Sequence, residues 1–159
     1  MSRFFGSLWP GGPAPGDEAW AEAALTEGEV RLWRRMSGPD RRHAVGVARR
    51  TAVELGDEAT RPVLAAALLH DVGKVDSGLG PVRRALATVW SWVAGRDRAA
   101  SGDGRVARYL RHDTIGADLL TAAGADPLTV AWAREHHLPE SRWSLPLPVG
   151  QALKAADDD

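Results

Sequence analysis

The sequence contains no cysteine. Disulfides, thiolate zinc sites and cysteine nucleophiles are therefore excluded, and any bound metal must rest on His, Asp or Glu. No apolar run reaches the roughly 18 residues of a membrane-spanning helix. The opening stretch, Met1 to Pro10, is too short and too broken by Gly and Pro for a secretory leader, so the cytoplasm is the expected location. Neither sign of charge prevails. The net charge of -1 argues against nucleic acid as an obligate partner. Arginines nevertheless crowd residues 31–50 and 96–111, where they could collect small phosphorylated molecules. Sustained alternation of the strand type is also missing.

What remains is helical. A chain of 159 residues, 44% of them hydrophobic, suffices for one domain with a real core. Residues 1–16, rich in Gly and Pro, read as a flexible N-terminal arm whose Phe4, Phe5, Leu8 and Trp9 could dock on a neighbouring surface, and residues 17–159 read as a single helical domain. Thr26 and Glu29 have the spacing of a capping box. Ser37-Gly38-Pro39-Asp40 separates that helix from the next, with Asp40 as the expected N-cap of a helix over about Arg41 to Leu55. Pro62 suits the first turn of a helix that is apolar almost all round and runs to His70 or Asp71, so this helix should be central. Gly73, Gly78 and Gly80 mark a loop. Pro81 opens a helix holding Trp90 and Trp92, which suit the core or a dimer surface and leave a homodimer open. A long helix is expected from about Val106 to Ala123, with His112 inside it and Gly124 as its stop. Pro127 starts another, ending at His137, and a last one covers Val149 to Asp157. The fold class is all-α, a bundle of about six or seven helices.

The chemistry concentrates in Ala65-Ala66-Ala67-Leu68-Leu69-His70-Asp71-Val72-Gly73-Lys74, where an oily run ends in an imidazole, a carboxylate, a glycine and a lysine. The other four histidines, His43, His112, His136 and His137, recur at helix-length spacings on both sides, and Asp157 closes the series. Imidazoles and carboxylates together suit a divalent metal such as Fe, Mn, Ni or Zn, with Mg open. A helical bundle can point such residues inward from several helices at once.

The ordered set is His, then His-Asp-x-Gly-Lys, then His-x-x-x-Gly, then His-His, then Ala-Asp. On these motifs the sequence resembles the HD-domain metal-dependent phosphohydrolase superfamily, over about Leu25 to Asp157. The strongest parts are Arg42-His43-Ala44-Val45-Gly46-Val47-Ala48 and Ala67 to Lys74. It looks most like the two-metal, HD-GYP-like branch. The resemblance implies an HD-domain-like bundle with His43, His70, Asp71 and Asp157 on one metal, and Asp71 bridging to a second held by His112, His136 and His137. It also implies Lys74 near the phosphate, and a metal-bridged hydroxide attacking a nucleotide or another small phosphate ester. Asp71 and Lys74 are thus the expected catalytic residues. Leu138-Pro139-Glu140-Ser141-Arg142 stands where the Gly-Tyr-Pro element is expected, so no cyclic-dinucleotide substrate is implied. Pro39 stands where some relatives carry a Glu for a third metal, which makes two ions the ceiling. Two alternatives use the same ligands: an HD-type diiron oxygenase, and a non-catalytic metal-binding or sensing module. Arg111 and Arg134 flank ligand positions and are further candidates for substrate contact.

Overall fold

The computed structural model describes residues 11–77 and 111–159. The first ten residues of the expected arm, the Trp90/Trp92 helix and the polar stretch 95–104 lie outside the described residues. Among those described there are seven α-helices and no strand: α1 (Pro15–Ala23), α2 (Glu27–Trp33), α3 (Gly38–Leu55), α4 (Arg61–Leu69), α5 (His112–Ala122), α6 (Pro127–Glu135) and α7 (Leu147–Asp158). Short 3-10 turns cover Gly56–Glu58, Val72–Ser77 and Glu140–Arg142. The fold is all-α, and no described helix is long and apolar enough to cross a membrane.

Local chemistry sets the helix boundaries. Thr26 opens α2 with the full capping box: its hydroxyl accepts from Glu29 N, and the Glu29 carboxylate accepts from Thr26 N. Ser37, not Asp40, caps α3. The Ser37 hydroxyl accepts from Asp40 N at 3.3 Å and donates to the Asp40 carboxylate at 2.6 Å, so Gly38 and Pro39 fall inside the first turn. Pro62 and Pro127 sit in the first turns of α4 and α6, where the missing N–H has no helical partner to lose.

Helix α4 is the axis of the bundle. Val63 and the unbroken run Ala65 to Leu69 are all buried, which requires neighbours on every side. Helices α3 and α6 pack on it, and three consecutive alanines keep that approach close. Helix α3 also packs on α7, while α5 packs on α6 and on the Val72–Ser77 turn. Two groups of elements therefore meet along α4: α3 with α7 on one side, α5 with α6 on the other.

Four further expectations are revised. His112 opens α5 instead of lying inside a longer helix, because Arg111 leaves helical geometry at φ -104° and ψ 17°; residues 106–110 lie outside the description. The chain after His70 does not loop at Gly73. It tightens into the 3-10 turn, with Lys74 N donating to Asp71 O at 3.0 Å. Helix α6 ends at Glu135, leaving His136 as its cap and His137 just beyond. Helix α7 begins at Leu147, with Pro148 in its first turn, and continues to Asp158.

Among the described glycines, Gly73 faces the closest backbone approach, and Gly116 lies opposite it. A Cβ on Gly73 would lie 1.9 Å from His112 O, and one on Gly116 would lie 3.1 Å from Gly73 N. The two glycines let α5 ride directly on the turn that follows His70-Asp71. Gly116 is thus a contact surface between α5 and that turn.

Candidate metal centre

Each packing group delivers one cluster. Helix α3 supplies His43, the end of α4 supplies His70, and α7 supplies Asp157. His43 Nε2 lies 3.0 Å and His70 Nε2 3.4 Å from Asp157 Oδ1. On the other side, His112 comes from the start of α5, and His136 and His137 come from the end of α6. His112 Nε2 and His137 Nε2 lie 3.2 Å apart, and the ring centroids of His112 and His136 are 5.9 Å apart. His43, His70 and Asp71 offer ligand atoms all within 4.8 Å of one another, and so do His112, His136 and His137.

Asp71 joins the clusters. Its Oδ2 lies 3.5 Å from His70 Nε2 and also takes the Lys74 ammonium, while its Oδ1 lies 3.3 Å from His112 Nε2 and 4.0 Å from His136 Nε2. The five imidazoles form one contiguous row: His43 to His70 at 5.8 Å, His70 to His136 at 5.3 Å, and His136 to His137 at 3.9 Å, with His112 beside the last two at 5.9 and 5.2 Å. His70, His112 and His136 are buried, whereas His43 and His137 at the two ends are exposed. The seven candidate metal ligands and Lys74 are thus brought together.

The donor chemistry fits metal ions. His70 Nδ1 donates to Ala67 O at 2.9 Å, and His136 Nδ1 donates to Trp132 O and Ala133 O, both at 3.1 Å. A carbonyl only accepts, so each Nδ1 carries the proton and each Nε2 faces the cluster, the second-sphere pattern of metal-binding histidines. Ala67 and Ala133 lie in the last turns of α4 and α6, where carbonyls run out of helical partners, while Trp132 O is shared with His136 N, which donates to it at 3.0 Å. The most telling atom is His136 Nε2, which is buried and without a hydrogen-bond partner. Burial and the neighbouring His70 and His137 hold this imidazole down at about 3, so at neutral pH the atom is a bare lone pair. Leaving such an atom unsatisfied costs about 1–3 kcal/mol, and a cation would satisfy it.

The carboxylates carry the matching charge. Burial alone would push Asp71 and Asp157 up, but their neighbours hold both well below the usual carboxylate range: the Lys74 and His70 charges for Asp71, side-chain hydrogen bonds with His43 and His70 for Asp157. Burial likewise opposes the His70 cation, yet Asp71 and Asp157 outweigh it and raise the group to about 9. In metal-free protein the protonated His70 therefore stabilises the fold. That contribution is complete below its unfolded value of about 6.5 and is lost as pH rises through about 9. His136 acts only below 6.5, where its neutral state opposes folding. Chelator-treated protein is expected to lose on the order of 3 kcal/mol between pH 6.5 and 9, read as a falling denaturation midpoint. Metal affinity should climb over the same window, because binding at His70 must displace that proton. A flat midpoint across the window would contradict the His70 assignment.

Two arginines lie around these elements. Arg134 points to Asp118 at 3.4 Å, an exposed pair on the surface of α5 and α6. Arg50, not singled out in the sequence, donates from Nε and Nη2 to Ala156 O at 3.0 and 2.7 Å, which pins the backbone next to Asp157. Its spacing of seven from His43 places both on one face of α3, and that is the signal by which it could have been found.

Residues 42–158 match the HD domain family. The chain belongs to the HD domain family. The match spans every cluster residue from His43 to Asp157. HD domains bind divalent metals, and many members of the family are phosphohydrolases. No curated protein matches the chain, and no solved structure does.

Proposed function

We propose that this HD domain is a metal-dependent phosphohydrolase, a phosphomonoesterase or phosphodiesterase acting on a nucleotide or another small phosphate ester. In this reading His43, His70, Asp71 and Asp157 surround one cation, and Asp71, His112, His136 and His137 surround a second. The observation that carries it is the position of Asp71, whose two oxygens face different histidine sets. Bound cations supply Lewis acidity and water activated at neutral pH. The chain's own part is orientation and charge. Carbonyls of α4 and α6 hold His70 and His136 in the tautomer that presents Nε2. Lys74 brings an ammonium to the edge of Asp71, where it can meet the non-bridging oxygens of a phosphoryl group and steady the charge that builds there. No side-chain nucleophile is required.

Lys74 favours phosphate over dioxygen chemistry, since an ammonium aimed at the cluster serves an anionic substrate. The deciding experiment adds Mn, Fe, Ni, Zn and Mg separately to metal-stripped protein and screens nucleotides and other phosphate esters for phosphate release. Oxygen uptake is followed in parallel with iron loaded anaerobically. Phosphate release dependent on the metal and on Asp71 is the expected result. Oxygen consumption without phosphate release would favour an oxygenase, and stable metal binding without turnover would favour a sensing module.

A further inference from the structure

His136 and His137 are neighbours in sequence, and consecutive residues of a regular helix point about 100° apart. Both nevertheless reach His112, because the chain leaves the helix between them. What fixes that departure lies outside the metal cluster. The indole of Trp143 donates from Nε1 to two carbonyls, Glu135 O at 3.1 Å and Leu138 O at 3.0 Å. These two residues bracket the histidine pair. Leu138 N also donates to Glu135 O at 2.7 Å, so the four-residue turn is closed by its own backbone and clasped from outside by one N–H.

The clasp is itself built. The Trp143 ring packs edge-on against Trp132 with centroids 5.3 Å apart, and Trp132 in turn lies 6.0 Å from His136. The Glu135 carboxylate accepts from Ser144 N at 2.6 Å and from Ser144 Oγ at 2.8 Å, which ties residue 144 back to the start of the turn. Gly150 on α7 gives the ring its place: a Cβ there would lie 2.6 Å from Cε3 and 2.9 Å from Cζ3 of Trp143. The segment Leu138 to Arg142 is where the sequence departs from the expected Gly-Tyr-Pro element, and Trp143 directly follows it.

We infer that Trp143 is a positioning residue for the second cation, holding the His136-His137 turn through its indole N–H. This rests on the two-cation reading above. A tryptophan suits the task because its donor sits on a large rigid ring with only two rotatable bonds, so the hydrogen bond and the packing fix each other. Phenylalanine would keep most of the packing and lose the donor.

The test is Mn binding by metal-stripped protein, measured by competition with a chelator. Wild type is expected to bind in two steps, and His137→Ala identifies which step belongs to the α5/α6 cluster by weakening it. Trp143→Phe is expected to weaken that same step about tenfold, as outer-shell changes do, and to leave the other within about twofold. Gly150→Ala, which drives a methyl group into the indole, should weaken the same step and provides the readout if Trp143→Phe does not fold. Unchanged affinities in both variants, or equal losses at both steps, would overturn the inference. Two bound ions without phosphate release from any ester would defeat only the proposed reaction, whereas a wild type that binds a single ion would defeat the two-cation reading and this inference with it.

Discussion

Asp71→Asn is expected to weaken metal binding at both clusters at once. The substitution keeps the size of the side chain and removes its negative charge. Oδ2 serves the His70 side and Oδ1 serves the His112 and His136 side, so one change reaches both. Outer-shell changes cost 10–100-fold in metal affinity; loss of the joining carboxylate should exceed that and reach on the order of a thousandfold, with phosphate release falling at least as far. The metal-free protein also changes. Asp71 and Asp157 together sustain the His70 cation against burial, so without Asp71 the decline in stability between pH 6.5 and 9 should become shallower. Elemental analysis of both ions, together with denaturation of chelated protein across that range, checks the two effects independently. Loss of one ion with retention of the other would show that Asp71 does not join the clusters.

Gly73→Ala should be the most disruptive change that touches no ligand. The added methyl would meet His112 O at 1.9 Å, His112 C at 2.7 Å and Gly116 N at 2.6 Å, all of them backbone atoms. No side chain can rotate away to make room, so α5 or the 3-10 turn must shift by about 1 Å. Overpacking in cores typically costs about 1–3 kcal/mol, and this case should lie at or above the upper end because main chain meets main chain. The shift carries His112 away from Asp71, so one ion should be lost along with stability. Gly116→Ala is the control. Its methyl would meet Gly73 N at 3.1 Å and Val72 Cγ1 at 3.4 Å, a contact relieved by a few tenths of an ångström. Alanine also gains about 1 kcal/mol of helix propensity over glycine, so the net effect should be near zero. Urea midpoints of the two variants test the contrast, and equal midpoints would refute the close-approach argument.

The order of the candidate ligands along the chain was readable because most of them sit near a helix end, and helix ends are marked by local signals; His43, in the second turn of α3, is the exception. Thr26 with Glu29, Pro62 and Pro127 all placed boundaries that the structure keeps. The apolar run before His70 announced a helix surrounded by others, which α4 is. Local signals failed where two were adjacent. Ser37 and Asp40 can each cap α3, and only the geometry of the hydroxyl decides for Ser37. The pattern around His112 gave a helix without its starting point. The roles of Gly73, Arg50 and Trp143 depend on partners 39, 106 and 8 residues away, namely His112, Ala156 and Glu135. The first two are tertiary contacts that no short window contains, and the third depends on how the chain turns after His137.

The gradient of exposure along the histidine row bears on how fast bound ions can leave. His43 and His137 lie at its ends and can rotate into solvent on the nanosecond scale of surface side chains. His70, His112 and His136 can retreat only when packed helices separate, which belongs to the microsecond regime or slower. For cations held as proposed, dissociation would then have two speeds, quick loosening at either end and slow escape from the middle. On the two-cation reading, the residence time of an ion would be governed by the breathing of α4 against α5 and α6 rather than by the outer imidazoles.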